Sequence, residues 1–245
     1  MAQVINTNVA ALFAGQALNK SNLALQTAQE RLSSGLRINS AKDDATGLVI
    51  ATGYDSQIRG ANQAARNAND GISAAQTNDG YLSQVTANLQ RLRELAVQNG
   101  NSLPTGTANG GSEADALIKE NTRINALVKA SGSVVVDSNG GTVAGTGATI
   151  STAASYTTVS SIDTDISAVT ADRAKFGADM ATLGSAVANL QVQSVNLSAS
   201  YSRVMDTDYA AETANMAKNN ILQQAGTAVL AQANQTPNSV LSLLR

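Results

Sequence analysis

The sequence predicts a mainly α protein: a long antiparallel helical bundle or coiled coil made from both chain termini, with a small β-hairpin in mid-chain. Three observations indicate this fold. Apolar residues recur at alternating steps of three and four over both ends of the chain, a glycine-rich turn signal interrupts that pattern near the middle, and aromatic residues make up only 3% of the sequence. Steps of three and four place side chains along one side of a helix, so we expect each helix to pack lengthwise against others.

The apolar positions define a predicted assembly seam, the line of side chains through which the helices are expected to pack. Its members are Leu18, Leu25, Leu32, Ile58, Ile72, Leu82, Leu89, Leu92, Phe176, Met180, Leu183, Val187, Leu190, Leu197, Tyr201, Val204 and Ile221. Because Ala, Leu, Val and Ile dominate and rings are rare, the seam suits close contact between helices better than a ligand cavity.

The first half of the chain predicts two long helices. The first begins near Asn6 to Asn8, where Asn and Thr can cap it, and Ser33-Ser34-Gly35 is expected to end it or at least to bend it. After a connector, Asp43 or Asp44 caps a second helix that continues to about Gln98. Within it, a single three-residue step shifts the register near Asp79-Gly80, and we expect local unwinding or a kink there.

The second half predicts a short helix, a hairpin and two further helices. A loop with Pro104 precedes a helix from Glu113 to Lys129. A β-branched run and an Asn-Gly-Gly turn then predict the hairpin over residues 133–150. Helices follow over residues 162–204 and 209–232, and Pro237 is expected to stop the last one.

Composition excludes several classes of function. The chain has no histidine and no cysteine, which removes histidine- or cysteine-based nucleophiles, thiol redox chemistry and the usual zinc sites. We expect no cofactor and no metal, and we interpret Asp43, Asp44, Asp206 and Asp208 as caps at helix starts. A net charge of −2 gives no basic field for nucleic acid, and no uninterrupted apolar stretch is long enough for membrane insertion.

Several segments in this order resemble bacterial flagellin. The similarity covers roughly residues 1–100 and 165–245. It is carried by MAQVINTN at 1–8, ERLSSGLRINSAKDDATGLVIA at 30–51, RNANDGISAAQT at 66–77, LQRLRELAVQ at 89–98, MDTDYAAET at 205–213 and ILQQAGTAVLAQANQTPNSVLSLLR at 221–245.

The resemblance implies a secreted subunit of the extracellular flagellar filament, exported by the flagellar type III apparatus without leader cleavage. Residues 1–43 with 205–245 would form an inner helical domain lining the channel. Residues 44–204 would form the wall, with the hairpin near 133–150 and no separate outer domain. The implied partners are other copies of the chain, flagellar junction and cap proteins, the export apparatus and an export chaperone. The terminal helices carry few large apolar groups, so we expect them to order on assembly.

The resemblance also implies a contact with the flagellin-sensing Toll-like receptor through Gln90, Arg91, Glu94 and Leu95. The alternative is an ordinary helix surface that meets adjoining subunits, and we give it the larger weight. At the level of the whole protein, a filament-junction protein is the nearest rival. A monomeric helical adaptor or receptor-binding module is a second, and an enzyme is the weakest.

Overall fold

A computed structural model describes residues 7–104, 110–128, 134–135, 137, 141–143 and 158–242. The chain divides into two compact units. We call Met1–Tyr54 with Ala199–Arg245 the terminal unit, and Asp55–Ser198 the central unit. Each is described separately.

Long helices dominate the described residues, which confirms the mainly α class. The helices are α1 (Val9–Ser34), α2 (Ala45–Gln98), α3 (Gly111–Leu127), α4 (Val159–Met205) and α5 (Tyr209–Ser242). Two short strands, β1 (Val134–Val135) and β2 (Thr142–Val143), pair antiparallel. Most of the hairpin predicted over residues 133–150 lies outside the described residues, so the hairpin as a whole stays a prediction.

The predicted caps at Asn8, Gly35, Asp44 and Asp208 are confirmed, whereas Asp43 accepts from the Asn39 and Ser40 N–H groups of the connector and a capping role of Asp206 stays a prediction. The Asn8 Oδ1 atom accepts a hydrogen bond from the Ala11 N–H at 3.1 Å, and α1 ends at Gly35, which has a left-handed φ of 73°. The Asp44 Oδ1 atom accepts from the Gly47 N–H at 2.8 Å at the start of α2. Asp208 does the same for the first amides of α5. These aspartates therefore have a structural use, since each satisfies N–H groups that the helix leaves open.

Two predicted interruptions differ from the structure. The local unwinding predicted at Asp79-Gly80 is wrong, since both residues lie in uninterrupted helix, while a kink there stays a prediction; the Asp79 carboxylate is paired with Arg173 of α4 at 2.7 Å. Pro237 does not stop α5, which continues to Ser242. Pro237 lacks the N–H that would bond the Ala233 carbonyl, and the Asn8 side-chain amide donates to that carbonyl at 2.7 Å.

The central unit has a large apolar core. Helices α2, α3 and α4 contribute to it, and its fully buried side chains include Phe176, Leu82, Val85, Leu89, Leu92, Ile162 and Val169. The terminal unit has a much smaller core around Ile38, Ala51 and Met205, against which Leu36, Leu48, Tyr201 and Val204 pack.

Candidate assembly interfaces

Two connectors of the terminal unit lie side by side, an arrangement that we call the connector crossing. Leu36, after α1, forms an antiparallel bridge with Asp206, after α4. The Arg37 N–H donates to the Met205 carbonyl at 2.6 Å, and the Thr207 N–H donates to the Gly35 carbonyl at 2.9 Å. Backbone bonds between connectors fix their relative alignment, so the crossing sets where α5 starts relative to the end of α1.

Side chains reinforce the connector crossing. The Arg37 guanidinium donates twice to the Val204 carbonyl, at 3.2 Å from Nε and 2.7 Å from Nη2. The Tyr209 hydroxyl donates to the Leu32 carbonyl at 3.0 Å. Both acceptors belong to the last turn of a helix, where carbonyls lack partners within the helix. Nearby, backbone N–H groups of Ser40 and Asn39 lower the pKa of Asp43.

Helices α1 and α5 contact each other mainly through small side chains and leave several large ones exposed. On α1, Ala14, Ala28 and the larger Leu25 are buried. Between the helices runs a groove of about 440 Å³ whose lining includes Phe13, Leu18, Leu222, Gly226 and Val229. We define the terminal apolar face as the exposed side chains of Val9, Leu12, Phe13 and Leu23 on α1 and Ile221, Leu222 and Val229 on α5.

Polar cross-links join α2 to α4 in the central unit. Arg93 pairs with Asp163 at 2.6 Å, Arg173 pairs with Asp79 at 2.7 Å, and the Ser194 hydroxyl donates to the Asn62 side-chain oxygen at 3.3 Å. As residue numbers rise along α2 they fall along α4, so the two helices are antiparallel. The cross-links therefore fix one alignment along this pair.

Helix α3 covers a second side of α2. Arg91 pairs with Glu113 at 2.7 Å, and inside the core the Asn88 side-chain amide donates to the Asn121 oxygen at 2.8 Å. Asn88 and Asn121 are 7% and 3% exposed, and the Asn121 amide nitrogen is buried without a hydrogen-bond partner. Such a buried polar pair discriminates between alignments because a shifted helix would leave more of it unsatisfied.

The structure buries much of the predicted seam. The buried members are Leu25, Leu82, Leu89, Leu92, Phe176, Leu183 and Leu190. The half-buried members are Leu18, Leu32, Ile58, Ile72, Met180, Val187, Leu197, Tyr201 and Val204. Ile221 differs, being 66% exposed on α5. A role of these residues between subunits stays a prediction.

The four predicted receptor-contact residues do not share one exposed surface. Gln90, Arg91 and Glu94 are exposed, but Leu95 is only 3% exposed within the core of the central unit. The expectation that Leu95 lies on the helix surface is wrong, because the start of α3 covers this side of α2. Leu95 still contributes to the floor of a polar hollow of about 450 Å³, lined also by Arg91 and Glu113.

Opposite charges beside this hollow stabilise each other's ionised forms. Glu113 and Glu94 raise the pKa of Arg91, with the Glu113 hydrogen bond the larger cause. In return, Arg91 lowers the pKa of Glu113. Both groups are exposed, so the pair is screened by solvent and contributes little to stability.

Sequence reasoning missed three sets of interface residues. These are Arg37 and Tyr209 at the connector crossing, the second hydrogen bond of Asn8, and the partnership of Arg91 with Glu113. Periodicity could not find them, because it detects apolar side chains that repeat, whereas these are single polar contacts between segments far apart in the sequence.

The described residues provide neither a cluster of metal ligands nor a membrane-spanning helix. Among them, histidine, cysteine, aspartate and glutamate form no group of three or more that could hold a metal ion. No helix within the same described ranges is long and apolar enough to cross a membrane.

Comparison with known proteins gives two family matches. The model of the bacterial flagellin N-terminal helical region matches residues 5–139, and that of the C-terminal helical region matches residues 159–244. A flagellin of Xenorhabdus nematophila is 38% identical over 318 aligned positions that cover both chains fully. Flagellins of Salmonella rubislaw and Salmonella typhimurium are each 56% identical over 133 residues. That alignment spans 54% of this chain but only 26% of either Salmonella protein.

Proposed function

We propose a function that starts from family membership: the chain belongs to the bacterial flagellin family, a family of structural proteins that forms the extracellular flagellar filament. The proposal is that this chain polymerises into the filament, the helical propeller of motility, through helix packing of its two ends. Ordering of those ends is coupled to polymerisation.

The terminal apolar face carries the proposal. Phe13 is 72% exposed, Val9 67% and Leu12 66%, and on α5 Ile221 is 66% exposed. Burying one such side chain contributes roughly 1.5–3 kcal/mol. Helices joined mainly through small residues gain little of this energy within one chain, so neighbouring copies that cover the face would supply it.

The same argument supports coupled folding. Ordering a segment into a helix costs about 1–2 kcal/mol per residue in backbone entropy. Helices α1 and α5 bury few large apolar side chains that could offset this cost. In the proposed filament, residues 1–43 and 205–245 line the channel and residues 44–204 form the wall. Other copies are the main partner, and the junction proteins, cap proteins, export apparatus and chaperone of the flagellum are further proposed partners.

Circular dichroism and filament growth test this proposal together. We expect purified protein to elongate filament seeds and to gain helix as it does so. Equal helicity of monomer and polymer would contradict coupled folding. Long filaments grown from seeds would distinguish the chain from a junction protein, and failure to elongate would contradict the filament function.

A matched pair of variants tests the terminal apolar face. Phe13→Ala removes the most exposed large apolar side chain, and we expect it to raise the critical concentration for polymerisation about tenfold or more. Gln16→Ala, on an exposed position of the same helix, is the control and is expected to leave that concentration within about twofold. Similar behaviour of both variants would remove the face from the assembly interface.

A second candidate function is receptor recognition, favoured by the exposed polar group next to the polar hollow. Gln90, Arg91 and Glu94 are accessible, and Glu113 on α3 lies within 2.7 Å of Arg91. We propose that this group contacts the flagellin-sensing Toll-like receptor, with Leu95 supporting Arg91 from beneath.

Reporter cells that express the receptor test this second function. We expect Arg91→Ala to weaken the response because it removes an exposed charge without opening the core. Arg123→Ala, an exposed arginine on α3 paired with Glu120, is the control. The absence of any response to the unmutated monomer would reject this function while leaving the filament proposal intact.

A further inference from the structure

The last turn of α1 is bonded by a side chain from the start of α5. The Tyr209 hydroxyl donates to the Leu32 carbonyl at 3.0 Å. In a longer helix the Leu36 N–H would donate to that carbonyl, but here it donates to the Ser34 hydroxyl oxygen at 3.2 Å. Tyr209 therefore caps α1, because it bonds one of the carbonyls that the last turn of a helix leaves open.

The last turn of α4 is bonded in the same way by a residue that follows α1. The Arg37 guanidinium donates twice to the Val204 carbonyl, at 3.2 Å from Nε and at 2.7 Å from Nη2. Just beyond α4, the Thr207 N–H donates to the Gly35 carbonyl at 2.9 Å. Arg37 therefore caps α4, and its positive charge suits the C-terminal end of a helix.

The two caps are exchanged between the connectors. Arg37 follows α1 and caps α4, whereas Tyr209 follows α4 and caps α1. The bonded residues are 167 and 177 positions apart in the chain, so neither cap can form until the two connectors lie side by side. Each helix end thus depends on a side chain that the other connector carries.

The first connector is held in a way that places Arg37 for its contact. Leu36 packs against the small core of the terminal unit, and Ile38 is 2% exposed within that core. Successive side chains of an extended segment point to opposite sides, so Arg37 is turned away from the core and towards the end of α4. The Arg37 N–H also donates to the carbonyl of the buried Met205 at 2.6 Å. Burial of the connector therefore fixes the backbone from which Arg37 reaches Val204.

We propose that Arg37 and Tyr209 are reciprocal positioning residues, through which the ends of α1 and α4 order as one cooperative unit. Loss of either side chain opens both helix ends, because a connector that is no longer held cannot keep the other cap in place. The pairing of α1 with α5 then starts from a fixed point at the last turn of α1. The inference concerns contacts within one chain and does not depend on filament growth.

An engineered disulfide allows the test to be made in the full-length soluble chain. A Cβ atom at Gly226 would lie 3.8 Å from the Leu18 Cβ, which is the usual separation in a disulfide. The chain has no cysteine, so Leu18→Cys with Gly226→Cys provides the only cysteines. Oxidised monomer, separated by size, then holds the middle of α1 against α5, away from the connector crossing, whether or not the protein polymerises.

Amide hydrogen exchange of this tethered chain, resolved by residue, measures both helix ends at once. We expect Tyr209→Phe, which removes only the hydroxyl, to speed exchange about threefold or more at residues 32–35 and also at residues 203–206. Arg37→Met, which keeps a long side chain but cannot donate, is expected to speed exchange about fivefold or more at the same two ends. The double variant should exceed Arg37→Met by less than about twofold, because the second cap is already weakened once the first is removed.

Two variants in the same unit provide the controls. Tyr201→Phe removes a hydroxyl from a side chain that packs against the same small core. Arg203→Met removes a cation from the last turn of α4, where the Arg203 guanidinium donates to the Ser200 hydroxyl at 2.9 Å. Both are expected to change exchange at the two helix ends by less than about twofold.

Any of four results would overturn the proposal. One is a response confined to the helix end that the substituted side chain caps, which would make the two caps independent. Another is multiplication of the two single effects in the double variant. The third is a response to both substitutions no larger than that of the controls, and the fourth is complete exchange of both ends in the tethered chain with Arg37 and Tyr209 intact. Failure of the unmutated protein to form filaments bears only on the function proposed above.

Discussion

The two phenylalanines of the chain have opposite environments. Phe176, in the central unit, is fully buried among α2 and α4 residues, whereas Phe13, in the terminal unit, is 72% exposed. Both lie on helices with apolar residues at steps of three and four. The pattern therefore shows that a helix has an apolar side, but it does not show whether the same chain covers that side.

The central unit contains what a single chain needs in order to bury its apolar side chains. Three helices surround the core, and the buried Asn88–Asn121 bond and the Asp79–Arg173 pair select their alignment. The terminal unit pairs α1 with α5, and its small core lies at the connector crossing, where the start of α2 and the end of α4 contribute side chains. Under the proposed function, we expect the central unit to dominate the stability of the monomer and the terminal unit to dominate assembly.

The largest expected effect on the free energy of unfolding comes from replacing each phenylalanine separately by alanine. Phe176→Ala should lower the free energy of unfolding of the soluble chain by about 3–5 kcal/mol, through lost burial and a cavity. Phe13→Ala should change it by less than about 0.5 kcal/mol, since the ring is mostly in solvent. Urea denaturation followed by circular dichroism measures both. Comparable losses would break the contrast between the units.

The buried asparagines provide the next largest test. Asn88→Ala removes the donor to Asn121 and leaves buried polar atoms unsatisfied, so we expect a loss of about 1–3 kcal/mol. Replacing both by leucine removes the polar atoms together and is expected to restore part of that stability. Urea denaturation of Asn88→Leu, Asn121→Leu and the double leucine variant gives the coupling between the sites, and additive losses would mean that the pair does not act as a unit.

Two glycines of α2 in the terminal unit differ in the space that an added Cβ atom would have. A Cβ at Gly47 would overlap the Asp44 carboxylate and lie 2.7 Å from the Ile38 Cδ1 atom, so Gly47→Ala must disturb a cap and the small core. We expect a loss of about 1–2 kcal/mol. Gly53→Ala is the control, because a Cβ there meets nothing within 4 Å, and better helix propensity should stabilise the chain by up to about 1 kcal/mol. Thermal unfolding of both variants should show shifts of opposite sign.

Much of the helical layout follows from the sequence, because its causes are local. Asn8, Gly35, Asp44 and Asp208 are residues that begin or end helices by bonding their own neighbours. What the sequence could not reveal depends on a second segment. Asn8 donates to the Ala233 carbonyl of α5, which is more than two hundred residues away in the chain, and no local pattern predicts such a bond.

The predicted seam shows the same limit. Repeats at three and four residues correctly indicated Leu82, Leu89 and Leu92, because α4 covers one side of α2. They missed the burial of Leu95, which needs α3 as a second neighbour. On α5, small residues occupy several faces, so the three-and-four spacing did not identify the buried side. It predicted Ile221 as a seam residue, but the Ile221 side chain is exposed.

The smallest expected effect is the pH dependence of the Arg91–Glu113 pair. Arg91 lowers the pKa of Glu113 in the folded chain below its ordinary value of 4.5, so the pairing stabilises the fold above that pH. The contribution is lost as the pH falls through the lowered folded pKa. Both side chains are exposed, so solvent screens the pair and we expect little change in overall stability.

A carboxylate NMR titration measures this effect directly. The midpoint for Glu113 should lie below 4.5 in the unmutated chain and rise towards 4.5 in Arg91→Gln. Arg93→Gln removes the partner of Asp163 and should leave the Glu113 midpoint in place. An unchanged midpoint in Arg91→Gln would mean that the ion pair is not populated in solution. The two-unit contrast would survive that result, because it depends on buried apolar area rather than on exposed charges.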